Sequence, residues 1–294
     1  MQKQTRGVLA AIFSVACLLQ VWTVSTSPSA GATTTAAPSC GAPITKSPGV
    51  LWKCTFDDEF TANAVDTTKW SAQTTAGSGY HSGPECYVNS PANISEADGY
   101  LRLTALKATN IFLCKKPIGQ FWTRETSGSV MSNYSQLYGM VQIRALFPAS
   151  TIQGLQSSLW MLPDDGTKYG RWPRSGEIDI VENYSSHSEL AIPTVHYLTA
   201  GYDPNRTNNY CDITPGVFHT YNLICTPTTM TFTYDGTVCL VDTLKIGGGL
   251  TAPAPFDQPF YLNLTQALGI TRNGFTPRTQ LPASTYIDYV RMWK

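Results

Sequence analysis

Trp172-Pro173-Arg174-Ser175-Gly176-Glu177-Ile178-Asp179-Ile180-Val181-Glu182-Asn183 is the stretch on which the reading of this chain turns. Side chains alternate across a β-strand, so Glu177 and Asp179 fall on one face and Ile178 and Ile180 on the other. Strict alternation would then set Val181 beside the acids and turn Glu182 away. One extra residue near Ile180 or Val181, a β-bulge, returns Glu182 to the acidic face, and bulges sit next to active sites for this kind of re-aiming. Three carboxylates then line one strand.

Alternating charge and isoleucine also describes the solvent face of an amphipathic strand, but three like charges repel and no lysine interleaves them. A calcium loop is the other use of such acids. The stretch lacks the glycine-containing loop spacing, and a regular strand cannot wrap an ion. With one residue absorbed by the bulge, the Glu177 and Glu182 Cα atoms stand roughly 13 Å apart at ~3.3 Å per residue. Two glutamates on a curved surface can lean together from that separation. A retaining glycosidase needs its two carboxyl groups about 5–5.5 Å apart, one as nucleophile and one as proton donor. Asp179 lies between them, where it assists by hydrogen-bonding the nucleophile and disfavouring ionisation of the acid.

Outward from this strand, short runs rich in β-branched and aromatic residues recur between Gly, Pro, Asn and Asp clusters: residues 101–105, 138–147, 155–162, 194–197, 218–224, 230–234, 260–264 and 286–293. Many short strands with almost no helical periodicity predict an all-β sandwich or jelly roll. Asp235-Gly236, after Thr231-Phe232-Thr233-Tyr234, predicts a hairpin turn. No internal repeat or second compositional domain interrupts the 294 residues, a length that one large all-β domain can reach. Charged residues are 14% of the chain, and Lys plus Arg (20) balance Asp plus Glu (20), which excludes a basic nucleic-acid surface and favours a neutral polymer as partner.

Residues 1–32 read as a secretory signal peptide: Lys3 and Arg6 precede an apolar stretch over residues 8–22, and Ala30-Gly31-Ala32 offers a small-residue cleavage site. About 15 apolar residues interrupted by Gln20 fall short of the ~20 of a spanning helix, so export without a membrane anchor is expected. Residues 33–49, rich in Thr, Ala, Pro and Ser, predict a flexible lead-in, with the catalytic domain over residues 50–294. Cys17 leaves with the signal, and Cys40, Cys54, Cys86, Cys114, Cys211, Cys225 and Cys239 remain. No CxxC or Cys/His spacing suggests a metal site, so disulfides of an extracellular protein are expected. Sequence neighbours suggest Cys40–Cys54, Cys86–Cys114 and Cys211–Cys239, although connectivity does not follow from sequence, and leave Cys225 as a buried free thiol.

The chain resembles glycoside hydrolase family 16 in its laminarinase-like branch, which carries a bulged Glu-x-Asp-x-x-Glu strand. Besides that strand, the likeness rests on Phe56-Asp57-Asp58-Glu59-Phe60 with Trp70, Asn93 before Leu101-Arg102-Leu103-Thr104-Ala105, Tyr138-Gly139 with Arg144 and Pro148, Trp160-Met161-Leu162-Pro163, Val195-His196, Phe218-His219-Thr220-Tyr221 and Asp288-Tyr289-Val290-Arg291. The resemblance implies a concanavalin A-like β-jelly-roll of two curved antiparallel sheets with the cleft along the concave face, and it implies that Glu177 is the nucleophile, Asp179 its helper and Glu182 the acid/base. It implies no required cofactor and admits a structural calcium on the convex side. Two departures bear on the substrate. Gly154-Leu155-Gln156-Ser157-Ser158-Leu159-Trp160 stands where many members carry Gly-x-Trp-Pro-Ala-x-Trp, and Cys225 replaces a frequent Trp.

Sugar rings stack their C–H faces on aromatics. Trp172 is the first candidate for the cleft floor, and Trp160 either lines the cleft or packs in the core. Trp122 and Tyr80 are weaker cleft candidates, while Trp70 and Trp293 read as core. The resemblance puts His196 near the acid/base, and Asn93 and Gln266 at positions that reach the cleft; Arg144 serves there or in an internal ion pair. Asn-x-Ser/Thr triplets occur at Asn93, Asn133, Asn183, Asn205 and Asn263, of which Asn183 adjoins Glu182 and should be unused. The expected activity is secreted, monomeric, endo-acting hydrolysis of β-1,3-glucan; a non-catalytic glucan-binding jelly roll and a β-glucan transglycosylase are the rivals.

Overall fold

A computed structural model describes residues 38–294; the signal segment and the first part of the lead-in lie outside them. Two antiparallel sheets face each other as a jelly-roll sandwich. One has seven strands, in the order Cys211–Asp212, Leu190–His196, Glu177–Tyr184, Leu155–Pro163, Phe260–Leu268, Ser129–Gln136 and Trp70–Ala72. The other has ten and is centred on Gly139–Leu146 and Ala283–Trp293. Each apolar run read from the sequence overlaps a strand, and Asp235 and Gly236 both take positive φ (47° and 83°) in the hairpin that pairs Tyr234 with Thr237.

Alternation explains the core between the sheets. From the seven-stranded sheet, Leu159, Met161, Ile178, Ile180, Val181, Leu262 and Leu264 point inward; from the other come Val141, Ile143, Leu223, Phe232 and Val290. All are buried, and each contributes about 1.5–3 kcal/mol by leaving water. Trp70 and Trp293 are buried as expected, with the Trp70 indole N–H donating to Asp58 at 2.8 Å. Arg144 takes the ion-pair option, with Asp288. The expected disulfides Cys40–Cys54, Cys86–Cys114 and Cys211–Cys239 are all present, and Cys225 is a free thiol whose burial pushes its pKa up to about 12, which leaves it unreactive.

The lead-in is a correction. Within residues 33–49, expected as flexible, Thr45–Ser47 pairs with Val50–Leu51 and Cys40 is bonded to Cys54. Composition there signalled a linker, but a disulfide and a short hairpin supply order that apolar content does not. Among the described residues no helix is long and apolar enough to cross a membrane.

Candidate active site

Pairing with the neighbouring strand shows how the acids come to share a face. Along Leu155–Pro163, Trp160 stands opposite Asp179 and Ser158 opposite Glu182. Trp160 and Ser158 are two residues apart and so point the same way, whereas their partners are three apart. Ile180 is the extra residue, and the shift recurs against Leu190–His196, where Glu177 opposes His196, Asp179 opposes Thr194 and Glu182 opposes Ile192. The carbonyl that the bulge frees from the ladder is caught from the opposite sheet, because the buried Tyr234 hydroxyl donates to Ile180 O at 2.8 Å. Upstream, Gly176 has φ +85°, and a Cβ there would stand 3.0 Å from Phe256 and 3.1 Å from Pro255. Only glycine delivers the chain into Glu177 at this point.

Hydrogen bonds then fix each carboxylate. The Trp172 indole N–H donates to Glu177 Oε2, and His196 Nε2 lies 2.9 Å from Asp179 Oδ2. The rings of Trp172 and His196 pack at 5.4 Å between centroids. Gln156 Nε2 donates to Glu182 Oε1 at 2.9 Å. His196 therefore grips the central Asp179 rather than the acid/base. Burial raises all three acids above their ordinary values. For Asp179 the negative charge of Glu177 adds to a large rise. For Glu177 the rise is opposed by His196 and by the Trp172 hydrogen bond. Glu182 is pushed up to about 7, first by burial and then by the charge of Asp179, against hydrogen bonds from Tyr184 and Gln156. A carboxyl that holds its proton near neutral pH can donate it to a leaving oxygen.

The remaining candidates divide. Trp172 is 59% exposed on the cleft. Trp160 shares the face of Asp179 and stays outside the main core, buried beneath Tyr80 at 5.3 Å with its indole N–H on Thr265. Tyr80 itself stacks on Tyr87 and, with Gln156, Glu182, Tyr184 and His196, lines a hollow of about 570 Å³. Glu85 fixes that wall by accepting the backbone N–H groups of Ser82 and Gly83. Trp122 is exposed on Gln120–Ser127, opposite Leu113, and does not line the hollow.

Two expectations fail. Asn93 is buried, donating to Thr104 O and Thr126 Oγ1, and serves to join strands rather than to meet sugar. Gln266 is also buried: it stands opposite Ser157, on the core side, where it accepts from Ser157 and Thr285. Its neighbour Thr265 takes the cleft side. Gln156 and Tyr184, the residues the sequence reading left out, contact Glu182, and the alternation Gln156-Ser158-Trp160 was the signal for the first. The Asn183 amide nitrogen is buried and donates to Ser188 O and Leu190 O, so it is closed to a glycan. Among the described residues no group of three or more His, Cys, Asp and Glu is placed to hold a metal ion.

Trp172→Ala is expected to weaken oligosaccharide binding several-fold to tenfold, since a stacked aromatic contributes ~0.5–1.5 kcal/mol beyond its area. The thermal midpoint should barely move, because the ring is largely exposed. Calorimetric titration beside a melting curve checks both, and loss of the fold with unchanged affinity would place Trp172 in a structural role.

The keratan-sulfate endo-1,4-beta-galactosidase of Sphingobacterium multivorum is 30% identical over 244 residues, covering 81% of this chain and 54% of that protein. The glucan endo-1,3-beta-glucosidase A1 of Niallia circulans is 29% identical over 272 residues, covering 83% of this chain and 38% of that one. This chain thus spans about half or less of the length of these relatives. A LamA variant from Z. galactanivorans, solved with laminaritriose and laminaritetraose, superposes with a TM-score of 0.68 at 28% identity, over 82% of this chain and 99% of that one. The family model for glycosyl hydrolases family 16 matches residues 85–272, which contain the bulged strand, and the chain belongs to that family.

Proposed function

We propose that this protein is a secreted retaining endo-glycosidase that hydrolyses internal β-glucosidic bonds of β-1,3-glucan, acting as a monomer. The observation that carries the reading is the bulge at Ile180, which brings Glu182, with a pKa of about 7, onto the face of Glu177 and Asp179. Glu177 attacks the anomeric carbon while Glu182 gives its proton to the departing oxygen. Water, deprotonated by Glu182, then releases the sugar. Asp179 assists from between the two glutamates, with its ionisation opposed by burial and by the charge of Glu177, and His196 orients it. The glucanase relative and the laminari-oligosaccharide complex support the linkage. Three disulfides and the composition of residues 1–32 support export. The galactosidase relative makes galactan the second substrate to examine.

The test is incubation of the mature protein with β-1,3-glucan, mixed-linkage glucan, galactan and xyloglucan. Early release of mixed-length oligosaccharides from β-1,3-glucan is expected. Binding without cleavage of any polymer would favour the glucan-binding module instead. Proton NMR in the first minutes, before mutarotation, should show the β-anomer accumulating. Initial α-anomer would remove Glu177 as nucleophile, because inversion needs a water between the sugar and a base at carboxyl separations of about 6.5–9.5 Å.

A further inference from the structure

We propose that the catalytic cleft continues past His196 into a second sugar subsite, in which Tyr202 and Tyr210 stack on the rings of a neutral glycan chain. This rests on the polysaccharide reading above. His196 lines the hollow that holds Glu182 and also a second hollow of about 460 Å³ at the sheet edge, bounded by Thr194, Arg206, Thr207 and the two tyrosines. A ligand in one can therefore reach the other across a single side chain.

Tyr202 is 91% and Tyr210 85% exposed. Large aromatics held open to water beside a groove mark binding surfaces. Both sit on anchored backbone. Next to Tyr202, the buried Asp203 accepts from Asn205 N at 3.1 Å and pairs with Lys245 at 3.5 Å. Tyr210 N donates to Asn208 Oδ1, Asn208 Nδ2 donates to Cys239 O at 2.7 Å, and the next residue, Cys211, is disulfide-bonded to Cys239. Thr207 meets Thr194 on the catalytic sheet, hydroxyl to hydroxyl, at 3.1 Å. Such anchoring reduces the entropy lost when a ligand binds. Of the nearby cations, Lys245 is paired with Asp203, and Arg206 donates to the Tyr197 carbonyl and lies over the Tyr197 ring at 5.6 Å, so most of the hollow's lining is ring faces, hydroxyls and amides. That chemistry suits an uncharged sugar.

The experiment compares wild type with the Tyr202→Ala/Tyr210→Ala variant on β-1,3-gluco-oligosaccharides of three to eight residues and on the polymer. The ratio of long-chain to short-chain kcat/KM is expected to fall about five- to 150-fold, two stacking contacts' worth, with the melting temperature unchanged. Tyr202→Phe/Tyr210→Phe should restore most of the ratio, since the ring faces remain. An unchanged ratio, or an equal loss at every length, overturns the subsite. If wild type cleaves no polymer, the hydrolase reading fails separately. Affinity electrophoresis in gels of the same polysaccharides then decides the subsite, and equal retardation of variant and wild type overturns it.

Discussion

Glu182→Gln is expected to lower turnover of β-glucan by about 10²–10⁴-fold, the contribution of a placed general acid/base, while oligosaccharide still binds. The amide keeps the size of the carboxyl and can still accept the Gln156 hydrogen bond, but has no proton to give the leaving oxygen. A second effect separates this role from a structural one. The folded pKa of Glu182, about 7, lies above the ordinary 4.5. Its contribution to stability is therefore fully present below about pH 4.5 and is lost as pH rises through about 7. At 1.36 kcal/mol per unit the loss amounts to about 3–4 kcal/mol. Glutamine does not titrate, so urea unfolding of the variant should be less sensitive to pH between 5 and 8 than that of wild type. The kcat/KM of wild type should fall over the same rise, as the acid loses its proton. Wild-type turnover by the variant would end the assignment.

Glu177→Ala is expected to reduce turnover by at least about 10³-fold, some 4 kcal/mol of barrier, because no other carboxylate can form the glycosyl intermediate. The truncation leaves room beneath the anomeric carbon. Azide entering that room should attack carbon directly as Glu182 protonates the leaving oxygen, giving a glycosyl azide of inverted, α configuration. Asp179 cannot substitute, since it is buried and held by His196. The check is chromatography and NMR of the azide product. A β-glycosyl azide, or full activity without azide, would mean that another group attacks the sugar.

Much of this was legible in the sequence because it depended on counting. The three-residue interval between Asp179 and Glu182 requires a bulge if both are to face the cleft, and the structure puts it at Ile180. Tyr234, which holds the freed carbonyl, comes from the other sheet and was out of reach of local reading. Gln266 differs for another reason. Leu262 and Leu264 mark the inward side of that strand, and parity places Gln266 with them, against the cleft position that the family resemblance implies. Asn93 failed because a polar residue between strands answers to buried carbonyls that no single sequence displays. The strand Ser129–Gln136 had no apolar alternation to announce it, and is held in the sheet between Phe260–Leu268 and Trp70–Ala72.

Two of the three disulfides lie beside the cleft rather than beneath it. Cys86 precedes Tyr87, on which Tyr80 stacks, and Cys211 follows Tyr210. Each closes a segment of 28 residues, a constraint of about 3–4 kcal/mol on the unfolded chain. The acids themselves are placed by apolar burial and strand pairing. Chain produced in a reducing cytoplasm would accordingly lose stability throughout the fold, and the molecules that stayed folded would be loosest at the rims of the cleft. Assays on short soluble oligosaccharides would then overstate the quality of such a preparation, and only the polymer would expose the defect.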